Sequence, residues 1–264
     1  MQAEQFIFEV YRRLNERYGV SYDLMEWQDM SSSSALRDAM VLYAPLLPED
    51  KASPILDIGF GNGLFIAACI KLGYTNIYGA EFGVDGRQYI SEWSPSVSGL
   101  DEITSSIGDY LADKPERYQV IHMSHVIEHL SKYSLLYHVD AIYNSLKING
   151  KVIFRCPNMD FPYANGMLFC SLGHEYGFSE SNLQQLMEIC QFDDVTFHNY
   201  QKSSPTFKER LGRVCRFPFV LLEKVKRRLL KTHQEVYRGA ELIVSGSRRE
   251  RPALFEKKGN SKSY

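Results

Sequence analysis

The central part of the chain alternates short apolar runs with longer stretches in which apolar residues recur at helical spacing, from residue 53 to residue 158. Such alternation is typical of strands joined by crossover helices, and it predicts a parallel sheet with helices packed on it. Two later segments also have the pattern of strands. The predicted strands begin at residues 54, 77, 103, 118, 151, 194 and 240.

Helical spacing also appears outside this block. Residues 2–18 carry apolar side chains at i, i+4 and i+8, which predicts an amphipathic helix, and residues 34–47 predict a second helix that ends before Pro48. Between them, residues 22–30 are aromatic and acidic and are predicted as a loop. Ser179 is a suitable N-cap for a further helix, because apolar residues recur after it at helical spacing.

The composition agrees with one globular α/β domain that carries additions. The chain has 264 residues, of which 44% are hydrophobic and 23% are charged, enough for one substantial core. Five cysteines are scattered without C-x-x-C spacing, which indicates reduced thiols and no zinc site. Neither a signal-peptide pattern nor an apolar run long enough to span a membrane is visible, so we expect a cytoplasmic protein.

Positive charge is concentrated in one segment. Residues 201–231 contain ten Lys or Arg against two Glu, a net charge of +8, while the whole chain carries −2. Positions 219, 222, 225 and 229 place apolar side chains on one helical face after Pro218. A basic amphipathic helix is typical of a membrane-surface element. Docking on its own domain is the alternative. Nucleic-acid contact is a third interpretation, but no specific nucleic acid is expected because the rest of the chain is acidic.

The most informative motif follows the first predicted strand. Asp57 is followed by glycines at 59, 61 and 63, and an apolar helical stretch begins at Leu64. Glycines permit positive φ and let a ligand approach the backbone. Leu64 stands where the dinucleotide fingerprint needs its third glycine, and the G-K-[ST] of a phosphate loop is absent. The carboxylate of Asp57 suits a cationic or amine-bearing ligand better than a pyrophosphate.

Asp57–Gly63 resembles the first motif of the class I methyltransferases that use S-adenosylmethionine, D/E-x-G-x-G-x-G, and matches it in full. Further similarities follow in the family's order: Glu81 after the second strand, Gly108-Asp109, Val126–Leu130 and Leu146–Asn158. The resemblance implies a Rossmann-like, doubly wound, seven-stranded, mostly parallel sheet with an antiparallel edge hairpin. N-terminal helices and the basic amphipathic insertion are added to this sheet.

The resemblance also suggests how the chain is divided. We expect residues 1–50 to be an N-terminal helical cap, 51–200 the cofactor-binding core, 201–238 the basic insertion, 239–247 the last core strand and 248–264 a flexible tail. N-terminal elements often lie across the cofactor in this family. Tyr22 and Trp27 are therefore candidates for a lid, with ordinary packing as the alternative.

The cofactor implied by the resemblance is S-adenosyl-L-methionine. Glu81 takes the place of a carboxylate that accepts hydrogen bonds from both ribose hydroxyls. Asp109 takes the place of an Asp that accepts from the adenine amino group, and Phe82 is a candidate for packing on adenine. The full set of cofactor-binding candidates is Asp57, Gly59, Gly61, Gly63, Glu81, Phe82, Asp109 and Ser124.

A sulfonium methyl has a good leaving group, so the protein mainly has to align the acceptor with it, and a hydroxyl acceptor benefits from a base. His129 follows the fourth strand and His174 follows the fifth, at the carboxyl edge where such sheets bind ligands. We predict that one of these histidines is the base or acceptor clamp, and that Glu128 orients it. A structural hydrogen bond is the alternative for His129.

Two patterns near these histidines are typical of metal sites, and this chain departs from both. His125-x-x-Glu128-His129 has the spacing of inverted zincins, which need one long helix and a distant third ligand. Quinone-biosynthesis O-methyltransferases have Glu-x-x-Glu-His and a divalent ion, whereas this chain has His125 in the first position. The sequence therefore assigns no metal ligand and leaves metal dependence open.

The sequence constrains the acceptor in part. No Asn/Asp-Pro-Pro-Tyr stretch follows the fourth strand, which argues against methylation of adenine or glutamine amino groups. Aromatic residues suited to sugar rings or apolar chains follow on the acceptor side: Tyr133, Tyr137, Phe161, Tyr163 and Phe169. Together with the expected contact of segment 206–231 with an anionic membrane, these aromatic residues predict an enzyme of polysaccharide biosynthesis. We expect it to O-methylate a sugar hydroxyl of a cell-surface or lipid-linked glycan precursor. The alternatives are a small lipophilic acceptor, such as a quinone, and a non-catalytic scaffold subunit that binds the cofactor.

Overall fold

The computed structural model describes residues 27–82, 92–161, 171–199 and 239–250, and a few isolated positions before and between them. Several sequence predictions lie outside the described residues. They concern the helix of residues 2–18 apart from residue 13, Tyr22, most of the insertion 201–238, the tail after residue 250, and the aromatic residues Tyr163 and Phe169.

Seven strands form one sheet. They are β1 (Ile55–Ile58), β2 (Ile77–Glu81), β3 (Val97–Glu102), β4 (Tyr118–Ser124), β5 (Leu146–Pro157), β6 (Asp193–His198) and β7 (Glu241–Ser247). Their spatial order is β3-β2-β1-β4-β5-β7-β6. The first five strands pair in parallel, whereas β7 is antiparallel to both β5 and β6. The predicted doubly wound sheet with an antiparallel edge is therefore confirmed.

Helices pack on both faces of this sheet. In the described residues they are α1 (Trp27–Ser32), α2 (Ser34–Tyr43), α3 (Leu64–Lys71), α4 (Ile107–Leu111), α5 (Leu135–Ser145) and α6 (Glu180–Ile189), with 3₁₀ turns at Ala44–Leu46 and Ile127–His129. The predicted cap of α6 is confirmed. The Ser179 hydroxyl accepts from the Asn182 N–H (3.2 Å), and the Asn182 side chain accepts from the Ser179 N–H (2.8 Å). This reciprocal pair satisfies two backbone donors at the helix start.

Alternate residues of each strand face opposite layers. In β1, Leu56 and Ile58 pack into the core beneath α4, α5 and α6, whereas Ile55 packs into the core covered by α1, α2 and α3. Asp57 has the parity of Ile55 and therefore faces α2. On β4, β5 and β7, one polar residue of each strand also lies on this face of the sheet. The face therefore carries a row of polar residues: Asp57, His122, Arg155 and Glu241.

The third strand is not where the sequence predicts it. β3 spans Val97–Glu102, and residues 103–107 instead lead into α4. The Ser106 hydroxyl accepts from the Asp109 N–H (3.1 Å) and caps that helix, so a side-chain cap overrides a weak apolar pattern. β3 is an edge strand, and none of its residues is fully buried. It therefore lacks the apolar run that marks the inner strands.

The predicted loop of residues 22–30 is wrong over its last residues, because α1 begins at Trp27. The side chain of Met30 is 1% exposed, and this burial draws the segment onto the domain. The ring centroids of Trp27 and Trp93 are 5.5 Å apart, and Nζ of Lys71 lies 5.2 Å from the ring centroid of Trp27. Trp27 thus packs within the domain in this structure, which favours the alternative to a lid.

Three described positions of the insertion bear on its predicted apolar face. Leu221, Leu222 and Val225 are helical, with exposed fractions of 52%, 66% and 48%. Leu222 and Val225 belong to that face. Across the part of the chain that the structure describes, no helix combines the length and the apolar character needed to cross a membrane.

Candidate functional site

The loop between β1 and α3 has a backbone that requires glycine. Gly59, Gly61 and Gly63 have φ angles of 69°, 50° and 76°, in the left-handed region that other residues rarely adopt. Gly59 also has no room for a side chain, because a Cβ atom there would lie 2.3 Å from Cγ2 of Val126. Its N–H donates to the carbonyl oxygen of Ala80 (2.7 Å), which holds the loop at the carboxyl edge of β1 and β2.

The carboxylate of Glu81 ties this loop to the end of β2. Its Oε2 accepts from the Gly61 N–H (2.9 Å), and its Oε1 accepts from the Phe82 N–H (2.8 Å). Burial raises the pKa of Glu81, while the two backbone hydrogen bonds act in the opposite direction. A carboxylate offers about four acceptor positions. Glu81 therefore retains capacity for donors from a ligand, such as paired hydroxyls.

Beneath the loop, Asp57 belongs to a chain of buried polar side chains. Its Oδ1 lies 2.7 Å from Nδ1 of His122, and Nε2 of His122 lies 3.0 Å from the hydroxyl of Tyr43. Phe65 stacks on the imidazole at a centroid distance of 3.8 Å. Burial raises the pKa of Asp57, and the charge and hydrogen bond of His122 oppose that rise. The carboxylate is turned to His122, and its contact with a ligand stays a prediction.

Further polar side chains continue this row to β7. Nε and Nη2 of Arg155 donate to Oε2 of Glu241 (3.1 and 2.6 Å), and Oε1 of Glu241 lies 2.8 Å from Nε2 of His125. Nδ1 of His125 lies 3.2 Å from Oε1 of Glu128. Burial raises the pKa of Tyr43 to about 12, and the neighbouring Arg155 opposes that rise. A network of polar side chains therefore runs from Asp57 beneath the glycine loop to the turn at Ile127–His129, buried at Asp57 and exposed at His125.

His125 carries a positive charge at the end of this network that lies next to the turn. Burial acts against a charged imidazole, but the hydrogen bonds to Glu128 and Glu241 outweigh it and raise the pKa of His125 to about 9. His125 is thus an imidazolium at neutral pH, with both ring N–H groups donating to carboxylates. Its backbone φ of 55° and its N–H bond to the carbonyl oxygen of Arg155 (2.8 Å) turn the side chain towards both partners.

The structure brings His129, His174 and Glu128 together. The centroids of the two histidine rings are 4.7 Å apart. One ring nitrogen from each histidine and one carboxylate oxygen of Glu128 lie within 4.8 Å of one another. Two backbone hydrogen bonds hold this arrangement, because the N–H groups of Glu175 and Tyr176 both donate to the carbonyl oxygen of Glu128 (2.9 and 3.1 Å). They fix the segment that carries His174 against the turn that carries His129.

His129 has a defined tautomer in this arrangement. Its Nδ1 lies 2.7 Å from the carbonyl oxygen of Gly173. A carbonyl oxygen only accepts, so Nδ1 carries the hydrogen, and Nε2 carries the lone pair of the neutral ring. Burial lowers the pKa of His129, which favours that neutral form at physiological pH. The ring is therefore suited to accept a proton or to bind a cation through Nε2.

The remaining cofactor candidates lie at other points of the sheet edge. Ser124 is the last residue of β4, and Phe82 is half-buried after β2. Asp109 is exposed in the first turn of α4 and not at a strand end. It accepts from the Tyr137 hydroxyl (2.8 Å), and this bond, with a second from Ser106, lowers the pKa of Asp109. The predicted acceptor residue Tyr137 thus contacts a predicted cofactor residue.

Sequence reasoning missed one carboxylate at this edge. The register of β2 and β3 places Glu102 beside Glu81, at the carboxyl ends of both strands. Predicting a strand at 103–107 hides Glu102, and an acidic residue that ends the preceding segment is the signal that could have revealed it. A second missed signal is the presence of polar residues within otherwise apolar strands, which indicates a polar network on the sheet. These residues are His122, Arg155 and Glu241.

Comparisons with known proteins identify the kind of domain that this site belongs to. A family profile described as a methyltransferase domain matches residues 32–196, more than half of the chain. A search of curated protein sequences found no significant match to this chain. Among solved structures, a SAM-dependent methyltransferase from Archaeoglobus fulgidus has 18% identity and a TM-score of 0.59, over 81% of this chain and 94% of that one.

Two further solved structures differ from each other in what they act on. The 1,6-didemethyltoxoflavin-N1-methyltransferase of Burkholderia thailandensis, with 1,6-didemethyltoxoflavin and S-adenosylhomocysteine bound, has 14% identity and a TM-score of 0.55, over 92% of this chain and 90% of that one. Phosphoethanolamine N-methyltransferase 2 of Haemonchus contortus, with S-adenosyl-L-methionine, has 13% identity and a TM-score of 0.53. That match covers 81% of this chain and 53% of the Haemonchus protein. At these identities the likeness shows the fold.

Proposed function

Since the chain belongs to the S-adenosylmethionine-dependent class I methyltransferases, we propose that it O-methylates a sugar hydroxyl of a cell-surface or lipid-linked glycan precursor. Its cofactor is S-adenosylmethionine, which supplies a methyl group on a positively charged sulfur that leaves readily. The observation that carries the proposal for the acceptor is the position of His129, held by Gly173 and paired with His174 beside Glu128 at the carboxyl edge of the sheet.

We assign the cofactor to the glycine loop and the end of β2. Three glycines with positive φ let a ligand approach the backbone, and the Glu81 carboxylate has acceptor capacity left after its two backbone bonds. These features suit a ribose with two hydroxyls. Asp57 supports the loop from below through His122, and the loop's mainly carboxylate surroundings suit a cationic ligand.

The two histidines are assigned to the acceptor. A hydroxyl is a poor nucleophile until its proton is removed or polarised. The lone pair of His129 Nε2 can accept that proton, and a base held by a backbone bond from Nδ1 to Gly173 needs no reorientation. Alternatively the pair clamps the acceptor and aligns it with the methyl group. A sugar presents hydroxyls that suit either role, and the aromatic residues near this part of the sequence support a ring-shaped acceptor.

Calorimetric titration tests the cofactor first, with S-adenosylmethionine and S-adenosylhomocysteine as titrants. Transfer of a radiolabelled methyl group to nucleotide-sugars and lipid-linked glycans then tests the acceptor, with quinone precursors in parallel. We expect micromolar binding and labelled sugar, and no turnover in separate His129→Ala and His174→Ala variants that retain cofactor binding. If the quinone precursor became labelled and the sugars did not, the acceptor would be a small lipophilic molecule and not a sugar. Cofactor binding without turnover on any acceptor would favour a scaffold subunit.

We also propose that segment 206–231 makes peripheral contact with an anionic membrane, where a lipid-linked acceptor would be presented. Its concentrated positive charge complements anionic lipid, and Leu222 and Val225 of its apolar face are exposed. Co-sedimentation with phosphatidylglycerol-containing vesicles tests this, using phosphatidylcholine vesicles as control. Deletion of 206–231 should abolish sedimentation while cofactor affinity is retained. Unchanged sedimentation after the deletion would contradict membrane contact.

A further inference from the structure

We propose that Glu128, His129 and His174 form a binding site for one divalent transition-metal ion. The donor atoms are two imidazole nitrogens and one carboxylate oxygen, and they lie within 4.8 Å of one another. Donor atoms around a zinc-sized ion are separated by roughly 3–3.5 Å, given metal–ligand distances near 2.0–2.2 Å. Small rotations of the three side chains would therefore close the site around an ion.

The second ring nitrogen of His129 supports this assignment. Metal-binding histidines usually donate their other N–H to a carbonyl or carboxylate, which fixes the ring and makes the ligating nitrogen more basic. Nδ1 of His129 lies 2.7 Å from the carbonyl oxygen of Gly173, directly before His174 in the chain. The residue that orients one histidine ligand thus precedes the other.

Glu128 provides an independent observation. Its side chain is 3% exposed, and its Oε2 has no hydrogen-bond partner among the described residues, although Oε1 is bonded to His125. A buried carboxylate oxygen without a partner is destabilising unless something else satisfies it. A cation held next to two imidazoles would do so. The charge of the ion would also offset the cost of burying an acidic residue in this position.

The donor set indicates the class of metal. Two imidazoles and one carboxylate suit Zn²⁺, Fe²⁺, Co²⁺ or Mn²⁺, whereas Mg²⁺ and Ca²⁺ favour sites made of oxygen atoms. Three protein ligands also leave coordination positions open, as in sites that bind a water or a substrate. The site is formed by side chains from two separate turns, so it differs from the helical pattern rejected from the sequence. His174, 45 positions beyond His129, supplies the third ligand.

This site bears on the reaction, and the following step rests on the proposed function. A histidine whose Nε2 binds an ion cannot accept a proton through that nitrogen at the same time. The two histidines would then act as the acceptor clamp, and the ion would hold the acceptor hydroxyl in its open position. A hydroxyl bound to a cation releases its proton to water more easily. Its oxygen would then bond to the sulfonium methyl as the sulfur–methyl bond breaks, and S-adenosylhomocysteine would leave.

Metal binding to the full chain tests the proposal directly. Chelator-treated protein is titrated with Co²⁺ and followed by its visible absorption, and Zn²⁺ is titrated by calorimetry. We expect one ion per chain and the absorption of low-coordinate Co²⁺. Loss of an outer-shell partner of a metal ligand weakens binding about 10- to 100-fold, so loss of a ligand in Glu128→Gln, His129→Ala or His174→Ala should weaken it by at least that much. Full affinity in any of the three variants, or no binding by the wild type, would overturn the site.

His198→Gln is the matched control, because His198 lies on β6 and bonds the Ser245 hydroxyl (2.8 Å) away from the cluster. It should bind metal like the wild type. Far-UV circular dichroism confirms folding of each variant, and Glu128→Gln keeps the shape of the side chain. Titration of S-adenosylmethionine separates the two proposals. Cofactor binding without metal binding rejects the metal site alone, whereas metal binding without cofactor binding rejects the proposed function alone.

Discussion

Nδ1 of His122 lies 2.7 Å from Oδ1 of Asp57, and the two residues are each 2% exposed beneath the glycine loop. The pair joins β1 to β4 at matched positions of the register. Phe65 covers the imidazole on one face, and Tyr43 closes the far side. The acidic residue of the glycine motif therefore supports the loop from within the fold, through a partner that no local pattern announces.

Replacing Asp57 should affect stability more than ligand contacts. Asp57→Ala leaves His122 buried without its partner, and loss of one member of a buried pair costs about 3–5 kcal/mol. Asp57→Asn keeps an acceptor for the ring N–H and should cost less. Urea unfolding measures both, with Asp113→Ala as an exposed control. Equal stability of Asp57→Ala and wild type would show that the pair contributes nothing.

Glu81→Gln should weaken cofactor binding without unfolding the domain. A Gln oxygen can replace only one carboxylate oxygen, so its amino group would face the N–H of Gly61 or Phe82. The amide also offers fewer acceptor positions to the ribose hydroxyls than the carboxylate does. A hydrogen bond to a charged group contributes about 1.5–3 kcal/mol, so its loss corresponds to roughly a 10- to 150-fold loss of affinity. Calorimetric titration of S-adenosylmethionine measures it, with the exposed Glu116→Gln as control. An unchanged dissociation constant would reject the role of Glu81.

Gly59→Ala should be more damaging than Gly73→Ala, although both glycines have positive φ. A left-handed residue with a side chain costs about 1–2 kcal/mol at either position. Only at Gly59 does the added Cβ also meet a neighbour, Val126 at 2.3 Å, whereas nothing lies within 4 Å at Gly73. Overpacking adds about 1–3 kcal/mol there.

Thermal and urea unfolding of both variants measure this difference. Adding Val126→Ala to Gly59→Ala should recover part of the loss, because it removes the clashing methyl group but not the strained backbone. Equal destabilisation at the two glycines would show that the close approach of the loop to Val126 is not limiting.

The Glu241 carboxylate should stabilise the fold above a pH set by its own titration. Burial alone would raise the pKa of Glu241, but the hydrogen bond from His125 and the charge of Arg155 lower it to about 2. A carboxylate whose pKa is depressed in the folded state stabilises the fold at every pH above its unfolded value, about 4.3. That contribution, up to about 3 kcal/mol, is lost as the pH falls from there towards 2.

Urea unfolding at a series of pH values from 7 down to 3 measures this effect. Glu241→Gln should be less stable than the wild type at pH 7, and the gap should narrow as the pH falls. Asp113→Asn is the control, because that carboxylate is 83% exposed, and it should show no such gap. A constant difference between Glu241→Gln and wild type at all pH values would contradict the assignment.

Much of the fold follows from local patterns. The strand, glycine loop and helix around Asp57–Gly63, the acid that ends β2 and the cap at Ser179 all match what their sequence predicts, because glycine spacing, apolar period and capping act within a few residues. The prediction of the third strand is wrong because it also depends on a local pattern. An edge strand buries little, so residues 97–102 carry only a weak apolar pattern. The more apolar residues 103–107 are predicted instead, although Ser106 caps a helix there.

The sequence by itself determined the methyltransferase frame, the cofactor motif and the identity of the candidate histidines. Only the tertiary structure decided which side chains meet: His122 with Asp57, Glu241 with Arg155 and His125, and His174 with His129 and Glu128. These partners are far apart in the chain. Their contacts depend on strand order, on the parity of each strand position and on where two turns pack, and no short segment contains that information.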